Sequence, residues 1–167
     1  MGKQEEDFDE IKEAVFLYSK MLLRIAFTYL KSMHDAEDVV QDVFLVYLTK
    51  NIKFDSENYR RNWLVRCTVN KCKDLLKASW YKSWIPVPEE IEDSIPEESE
   101  VIQMVLKLER KYRIPMYLHY CEGYSLKEIA ELLNKKVSSV GTLLSRGRNK
   151  LKVMIEEEKT DGKGEKR

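Results

Sequence analysis

The segment from Tyr124 to Lys152, YSLKEIAELLNKKVSSVGTLLSRGRNKLK, limits what this chain can fold into more than any other. Ser125 is placed to cap a helix, and Glu128, three residues on, to reach back to the Ser125 amide. This reciprocal box satisfies two amide donors that a helix leaves open at its start. Ile129, Leu132 and Leu133 make an apolar stripe, and Ala130 is small enough to let a second helix cross closely. Asn134 falls where the chain must leave that helix, and asparagine tolerates the left-handed backbone such an exit requires. Ser138 and Ser139 offer a second cap, after which Val140, Leu144 and Leu151 supply a buried face. The opposite face carries Thr142, Ser145, Arg146, Arg148, Asn149, Lys150 and Lys152, and from Asn134 to Lys152 there are 6 basic residues and no acidic one. The spacing predicts a helix-turn-helix whose second helix lies against DNA. A plain αα-hairpin with a solvated basic face is the other reading of the same pattern.

The formal net charge is zero, but the charges are segregated. Met1 to Lys50 holds 6 basic and 10 acidic residues, Asn51 to Trp84 holds 8 and 3, and Ile85 to Glu100 holds 7 acids and no base. Two positive stretches are therefore separated by an acidic one. Counterion release favours nucleic acid at both positive stretches, while the acidic stretch avoids phosphates. The length of 167 residues suits one or two small domains. Six Gly and four Pro are too few for a loop-rich or sandwich fold, and no strand pattern or internal repeat is present. No apolar run approaches the ~18 residues of a membrane span, and the first residues are acidic, so neither membrane insertion nor a secretory leader is expected. The expected location is the cytoplasm. Cys67, Cys72 and Cys121 lack CxxC spacing and have only His34 and His119 as possible co-ligands, so no metal, cofactor or disulfide framework is expected. No nucleophile, base and orienter set and no phosphate-cradling glycine loop occurs, so the chain is not expected to be an enzyme.

The fold class that follows is all-α, as two small helical domains joined by a flexible linker. Phe8, Ile11, Val15, Tyr18, Leu22, Ile25 and Tyr29 recur at three and four, predicting a helix from Phe8 to Lys31. Asp35 caps the next helix, whose apolar face is Ala36, Val39, Val40, Val43, Phe44, Tyr47 and Leu48. Asn51 to Arg61 reads as a loop or short helix, and a third helix follows from Asn62 to about Ser79, burying Trp63, Leu64, Cys67 and Leu75. Ile85 to Pro96, with three prolines, is an extended linker. Val101, Val105 and Leu108 begin a fourth helix, and Ile114 to Leu118 a fifth that Pro115 kinks. The expected boundaries are 1–84, a linker at 85–100, a helix-turn-helix domain at 101–157 and a disordered tail at 158–167.

The run DAEDVVQDVFLVYL (Asp35 to Leu48), together with the helix-turn-helix, resembles the sigma factors of bacterial RNA polymerase. WLVRCTVNKCKDLLK (Trp63 to Lys77) and LERKYRIPMYLHYCEGYSLKEIAELL (Leu108 to Leu133) extend the resemblance over Phe16 to Lys152. A chain with only these two modules is similar to the extracytoplasmic function group, whose first module is called region 2 and whose second is called region 4. The resemblance implies an alternative sigma factor that directs transcription initiation, binding core RNA polymerase through the clamp coiled coil of its largest subunit and recognising promoter DNA. Such factors are commonly held by an anti-sigma factor.

The residues carry these roles in three groups. Asp35, Asp38, Gln41, Asp42 and Leu45 form an acidic strip with one apolar contact, suited to docking on the polymerase, although a solvated acidic face has the same periodicity. The stretch FDSENYRRNWLVRCTVNKCKDLLK mixes aromatic and basic side chains, which suits single-stranded DNA. By position in the family, a flipped base of the −10 element falls to Lys53, Phe54, Asn58, Tyr59, Arg60 and Arg61, with Arg66, Asn70, Lys73 and Lys77 on the following helix. Trp63 reads as core by its period, and Trp80 and Trp84 fit either core or partner. For the double-stranded −35 element the expected contacts are Ser138, Ser139, Gly141, Thr142, Ser145, Arg146, Arg148 and Lys150. Relatives usually carry Lys or Arg where this chain has Gly141 and Leu143. Gly141 either permits close backbone approach to DNA or reflects a different −35 sequence. A conventional helix-turn-helix regulator and a protein-interaction adaptor are the rival readings, and neither uses the acidic strip for polymerase.

Overall fold

The computed structural model of the chain describes residues 2–78 and 99–164. Its described residues are helical and contain no strand, and the chain divides into two compact units, Met1–Ser94 and Ile95–Arg167. Residues 85–98 of the expected linker, Trp80, Trp84 and the last three residues lie outside the described residues, while Ser99 and Glu100 cap and open the next helix.

Three helices build the first unit: α1 (Gly2–Leu30), α2 (Met33–Lys50) and α3 (Glu57–Lys77). Leu22, Ile25, Ala26 and Phe27 of α1, Ala36, Val39 and Val43 of α2, and Leu64, Val65, Val69 and Cys72 of α3 fill one apolar core. Phe8 and Val15 were expected on that core stripe, but both are exposed. The front of α1 faces polar groups instead. Its Asp7, Glu10 and Glu13 turn towards the α2–α3 loop and the start of α3, which carries Phe8 and Val15 one residue round to solvent.

Both helix starts differ from the sequence expectation. Lys31 takes a left-handed φ of 53°, Ser32 is extended, and the Ser32 hydroxyl accepts from the Asp35 amide at 3.2 Å. Ser32, not Asp35, is therefore the cap, and Asp35 sits in the first turn where a carboxylate favours the helix dipole. After a left-handed Asn51, Ser56 caps α3 by accepting from the Tyr59 amide at 3.2 Å. The helix thus begins at Glu57 rather than Asn62, because the Ser56 cap and the Glu57 carboxylate stabilise a start that apolar periodicity does not mark. Asn58 to Arg61 belong to its first turns.

That early start buries a charge. Arg60 is only 6% exposed and donates from Nε to Glu57 at 2.9 Å and from Nη2 to Glu57 at 2.7 Å and Glu13 at 3.3 Å. The Tyr18 hydroxyl donates to the same Glu57 carboxylate, and the guanidinium lies 5.8 Å from the Tyr18 ring. Burial opposes the Arg60 charge, yet its carboxylate partners, Glu57 foremost, hold the group above its ordinary range. The Tyr18 hydroxyl and the Arg60 guanidinium draw the Glu57 carboxyl below its ordinary value. Beside this cluster Tyr47, Phe54 and Trp63 meet ring to ring at 5.6 to 5.8 Å, so Trp63 is half-buried in an aromatic plug. Burial also pushes the Cys72 thiol up to about 12, which keeps it neutral and inert.

The second unit contains α4 (Glu100–Lys107), α5 (Arg110–Tyr120), α6 (Leu126–Leu133) and α7 (Val137–Gly164). Val101 is exposed, and the α4 core contribution comes from Met104, Val105 and Leu106. Arg113, 3% exposed, donates to the Leu108 carbonyl at 3.1 Å and so satisfies the end of α4. Pro115 lies inside α5, which runs unbroken from Arg110 to Tyr120. The expected capping box is present: the Ser125 hydroxyl accepts from the Glu128 amide at 3.1 Å, and the Glu128 carboxylate accepts from the Ser125 amide at 2.8 Å. Asn134 exits α6 with φ 53° and ψ 51°. The expected cap on α7 is absent. Its first bond runs from the Val140 amide to the Lys136 carbonyl, which places Ser138 and Ser139 inside the first turn. The tail expected to be disordered from 158 continues α7 as far as Gly164.

The two glycines of α7 face different surroundings. A methyl group on Gly147 would stand 2.8 Å from Met116 Cγ of α5, whereas one on Gly141 would meet Leu126 of α6 at 3.6 Å, an ordinary contact. Gly147 is required by the α5–α7 crossing, and Gly141 is not required by packing. Gly141→Ala is expected to raise unit stability by up to about 1 kcal/mol through helix propensity. Gly147→Ala forfeits that gain to overpacking and is expected to lose about 1 kcal/mol or more. Thermal unfolding followed by circular dichroism separates the two, and equal midpoints for the two variants would refute the assignment. In the first unit, Arg60→Ala strands Glu57 and Glu13 and removes a buried stem. A loss of about 2–4 kcal/mol is expected in denaturant unfolding, and a loss under about 0.5 kcal/mol would show that the cluster is not structural.

Candidate functional site

Three surfaces carry the residues singled out by sequence. On α2, Asp38, Gln41, Asp42 and Leu45 are all exposed, and Asp35 is half-buried. His34 and Leu48, which sequence reasoning did not include, complete the same row at spacings of four, three, four and three. His34 Nε2 lies 3.6 Å from Asp38, and Leu48 is 46% exposed where its apolar period predicted burial. The row is acidic at the front of α2 and apolar towards its end. It therefore offers a partner both charge and contact area.

The second surface is divided between groups used inside the unit and groups presented outside it. Arg60 was expected at the pocket for a flipped base; its guanidinium is buried against Glu57 and Glu13, so its charge is committed to the fold even where it borders a recess. Phe54 is half-buried against Tyr47 and Trp63. Lys53 donates to Asp7 at 2.6 Å and Glu10 at 3.1 Å, which lowers the Asp7 carboxyl and raises the Lys53 ammonium. A recess of about 250 Å³ opens among Glu10, Glu13, Tyr47, Lys53, Phe54, Ser56, Glu57 and Arg60. With three carboxylates against two cations, this recess repels a phosphate but can accept the polar edge and ring of a base. Outside it, Asn58 and Tyr59 are exposed, with Tyr59 at 66%. Arg66, Asn70 and Lys77 are exposed along α3, while Arg61 and Lys73 are half-buried. Arg66, Asn70, Lys73 and Lys77 follow one another at four, three and four, so they share one face.

The third surface is α7. Ser138, Thr142, Ser145, Arg146 and Asn149 form its outward row, all exposed, with Ser139 beside them. The Thr142 hydroxyl donates back to the Ser138 carbonyl at 3.1 Å. The other cations lie off this row, with Lys135, Lys136 and Lys152 exposed and two more held by partners. Arg148 Nη1 donates to the Tyr120 hydroxyl at 2.9 Å. Lys150 donates to Glu109 at 3.0 Å and stands 5.0 Å over the Tyr112 ring. The Glu109 carboxyl, drawn down by Lys150, raises that ammonium in turn. Half-buried Gly141 lies against α6 and is not presented outward. The helix-turn-helix thus presents a mostly uncharged outward row, with Arg148 and Lys150 held beside it by the body of the unit. No group of three metal-ligating side chains occurs among the described residues, and no helix is long and apolar enough to cross a membrane.

Comparison with known proteins agrees with this geometry. Residues 15–81 match the Sigma-70 region 2 family model, and residues 98–151 match Sigma-70, region 4. The ECF RNA polymerase sigma factor SigW of Bacillus subtilis is 27% identical over 89% of this chain and 90% of its own length. The RNA polymerase sigma factor NccH of Alcaligenes xylosoxydans is 26% identical over 73% of this chain and 74% of its own length. Among solved structures, CnrH in complex with the cytosolic domain of CnrY superposes with a TM-score of 0.62 at 26% identity, covering 88% of each chain. The sigma factor RpoE of Bartonella quintana, in complex with the anti-sigma factor NepR, shares the fold with a TM-score of 0.63 at 18% identity, covering 88% of this chain and 97% of that one. With both Sigma-70 modules present in order along its length, the chain belongs to the sigma factors of the extracytoplasmic function type, transcription initiation factors that bind RNA polymerase and promoter DNA.

Proposed function

We propose that the α2 row docks on the clamp coiled coil of the largest polymerase subunit, and that the two basic surfaces then engage one promoter. Asp38, Gln41 and Asp42 meet basic and amide partners, and Leu45 with Leu48 supplies the apolar contact. Asp35 contributes from the half-buried edge. The −10 element is taken as a single strand by α3 and the loop before it: Tyr59 stacks a base, Asn58 hydrogen-bonds it, and Arg61, Arg66, Asn70, Lys73 and Lys77 follow the backbone. Lys53 and Phe54 border the recess that takes a flipped base. The −35 element is read as duplex by Ser138, Ser139, Thr142, Ser145 and Arg146, with Arg148 and Lys150 on the groove walls. Gly141, turned to α6, makes no base contact.

The observation that carries this reading is the coexistence of the outward α2 row with the capped helix-turn-helix on one chain. A simple DNA-binding regulator has no use for the row, and a protein adaptor has no use for a stretch from Asn134 to Lys152 with 6 bases and no acid. The partition into a polymerase-binding domain near 1–84 and a DNA-reading domain near 101–157 suits this division of labour. Control by an anti-sigma factor completes the reading, supported by the RpoE–NepR complex. Action in the cytoplasm, on the polymerase and without catalysis by this chain, follows from the same reading.

Run-off transcription with purified core polymerase on a genomic fragment library tests it directly. Promoter-selective transcripts that require this protein are the expected result, and their absence sinks the reading. Asp42→Arg is expected to weaken capture of core polymerase by about tenfold or more at unchanged helicity. Full capture by that variant would remove the α2 row from the interface.

A further inference from the structure

We infer that Tyr120 and Arg148 together form a two-donor clamp for one backbone phosphate of duplex DNA, which makes Tyr120 a DNA-contacting residue outside the recognition helix. The inference rests on the proposed reading of the second unit as the duplex-binding module, and it adds a site that the sequence did not mark.

Arg148 follows Thr142 by six residues, which places it about 120° round the helix from the outward row. A side chain there does not reach base edges. It meets the wall of the groove, where the phosphates are. Tyr120, the last residue of α5, is 52% exposed and stands beside it, with the Arg148 Nη1 to Tyr120 hydroxyl distance 2.9 Å.

The direction of that bond sets the chemistry. Arginine has only donors, so the tyrosine oxygen is the acceptor. The hydroxyl proton is consequently turned away from Arg148, and the guanidinium retains further N–H groups beyond the one that Tyr120 uses. Two donor groups of different residues thus lie side by side, one cationic and one neutral. An anionic group with two acceptor oxygens can receive both.

The tyrosine is held for this task. The His119 ring packs edge-on against it at 4.8 Å and 75°, and His119 Nδ1–H donates to the Tyr124 carbonyl at 2.7 Å. That carbonyl belongs to the residue before the Ser125 cap, so the clamp is tied to the start of the helix-turn-helix itself. Lys150 on the other flank is differently placed, since Glu109 already neutralises it.

Removal of the neutral donor should therefore differ from removal of the cationic one. The test uses the full chain with core polymerase and a duplex promoter fragment recovered by run-off transcription, with affinity measured across a salt series. Tyr120→Phe is expected to lower affinity roughly three- to tenfold at every salt concentration, leaving the salt slope unchanged. Arg148→Ala should lower affinity and reduce the slope by about 0.9. The double variant should lose less than the sum of the two, because both donors serve one phosphate. A methylphosphonate scan of the duplex should find one linkage whose neutralisation weakens the wild type and leaves Arg148→Ala unaffected. Wild-type affinity for Tyr120→Phe, additive losses, or no such linkage would each overturn the clamp while leaving the sigma factor reading intact. Should Tyr120→Phe melt earlier than the wild type, the methylphosphonate scan on wild type and Arg148→Ala decides alone. Failure of the wild-type holoenzyme to bind any promoter fragment would overturn the clamp together with the reading beneath it.

Discussion

An eight-residue helix does not persist in water by itself, and the second unit contains two of them. The recognition helix has no platform unless α6 forms, so the structure depends on how α6 is fixed at both ends. Ser125 and Glu128 close its first turn, while left-handed Asn134 brings the Lys135 amide to the Ala130 carbonyl at 2.9 Å at the other end. Between these caps Ile129, Ala130, Leu132 and Leu133 are all buried. Left-handed Asn134 turns the chain out of α6 towards α7. Gly147 then allows α7 to settle on Met116.

The first unit solves a different problem with charge. Its third helix begins early, which draws Arg60 under the front of α1. A buried guanidinium is tolerable only when carboxylates and carbonyls meet it, and Glu57, Glu13 and the Glu10 carbonyl do so. Acids near the start of the chain therefore have an internal role. Asp7 and Glu10 hold Lys53 in the same way. The local excess of carboxylate also explains why the recess beside them suits a base and not a phosphate.

Much of this was legible from residues. The capping box, the Asn134 turn, most of the buried face of α2 and the acid-free stretch from Asn134 to Lys152 follow from spacing and cap chemistry that act within a few residues. In α3 only Leu64 of the expected core residues is buried, and Val65, Val69 and Cys72 take the places given to Trp63, Cys67 and Leu75. What stayed hidden was non-local. Nothing within four residues of Arg60 announces that Glu13 will reach it from another helix. Leu48 fits an apolar period and yet faces solvent, and Phe8 and Val15 do likewise, because a period says which residues share a face but not what that face meets. Serine caps were misplaced in both directions: Ser32 and Ser56 act where Asp35 and Asn62 had been expected to start helices, and Ser138 and Ser139 lie inside a turn. A cap is recognised by the backbone conformation before it, and β-region geometry at Ser32 and Ser56 is not written in residue type.

The same logic bears on how this chain grips a duplex. Gly141 is turned to α6 and Leu143 is half-buried, so neither brings a charge to the exposed face of α7. Charge missing from those positions cannot be restored by the outward row, where only Arg146 among Ser138, Thr142, Ser145 and Asn149 is cationic. Nor does Lys150 restore it without giving up Glu109. Backbone contact is then left to cations beside the row, the exposed Lys135, Lys136 and Lys152 and the Arg148 that is joined to a tyrosine of α5. In the proposed reading, discrimination rests on the hydroxyl and amide groups of the outward row, while Arg146 and the cations beside the row supply the salt-dependent part of the affinity.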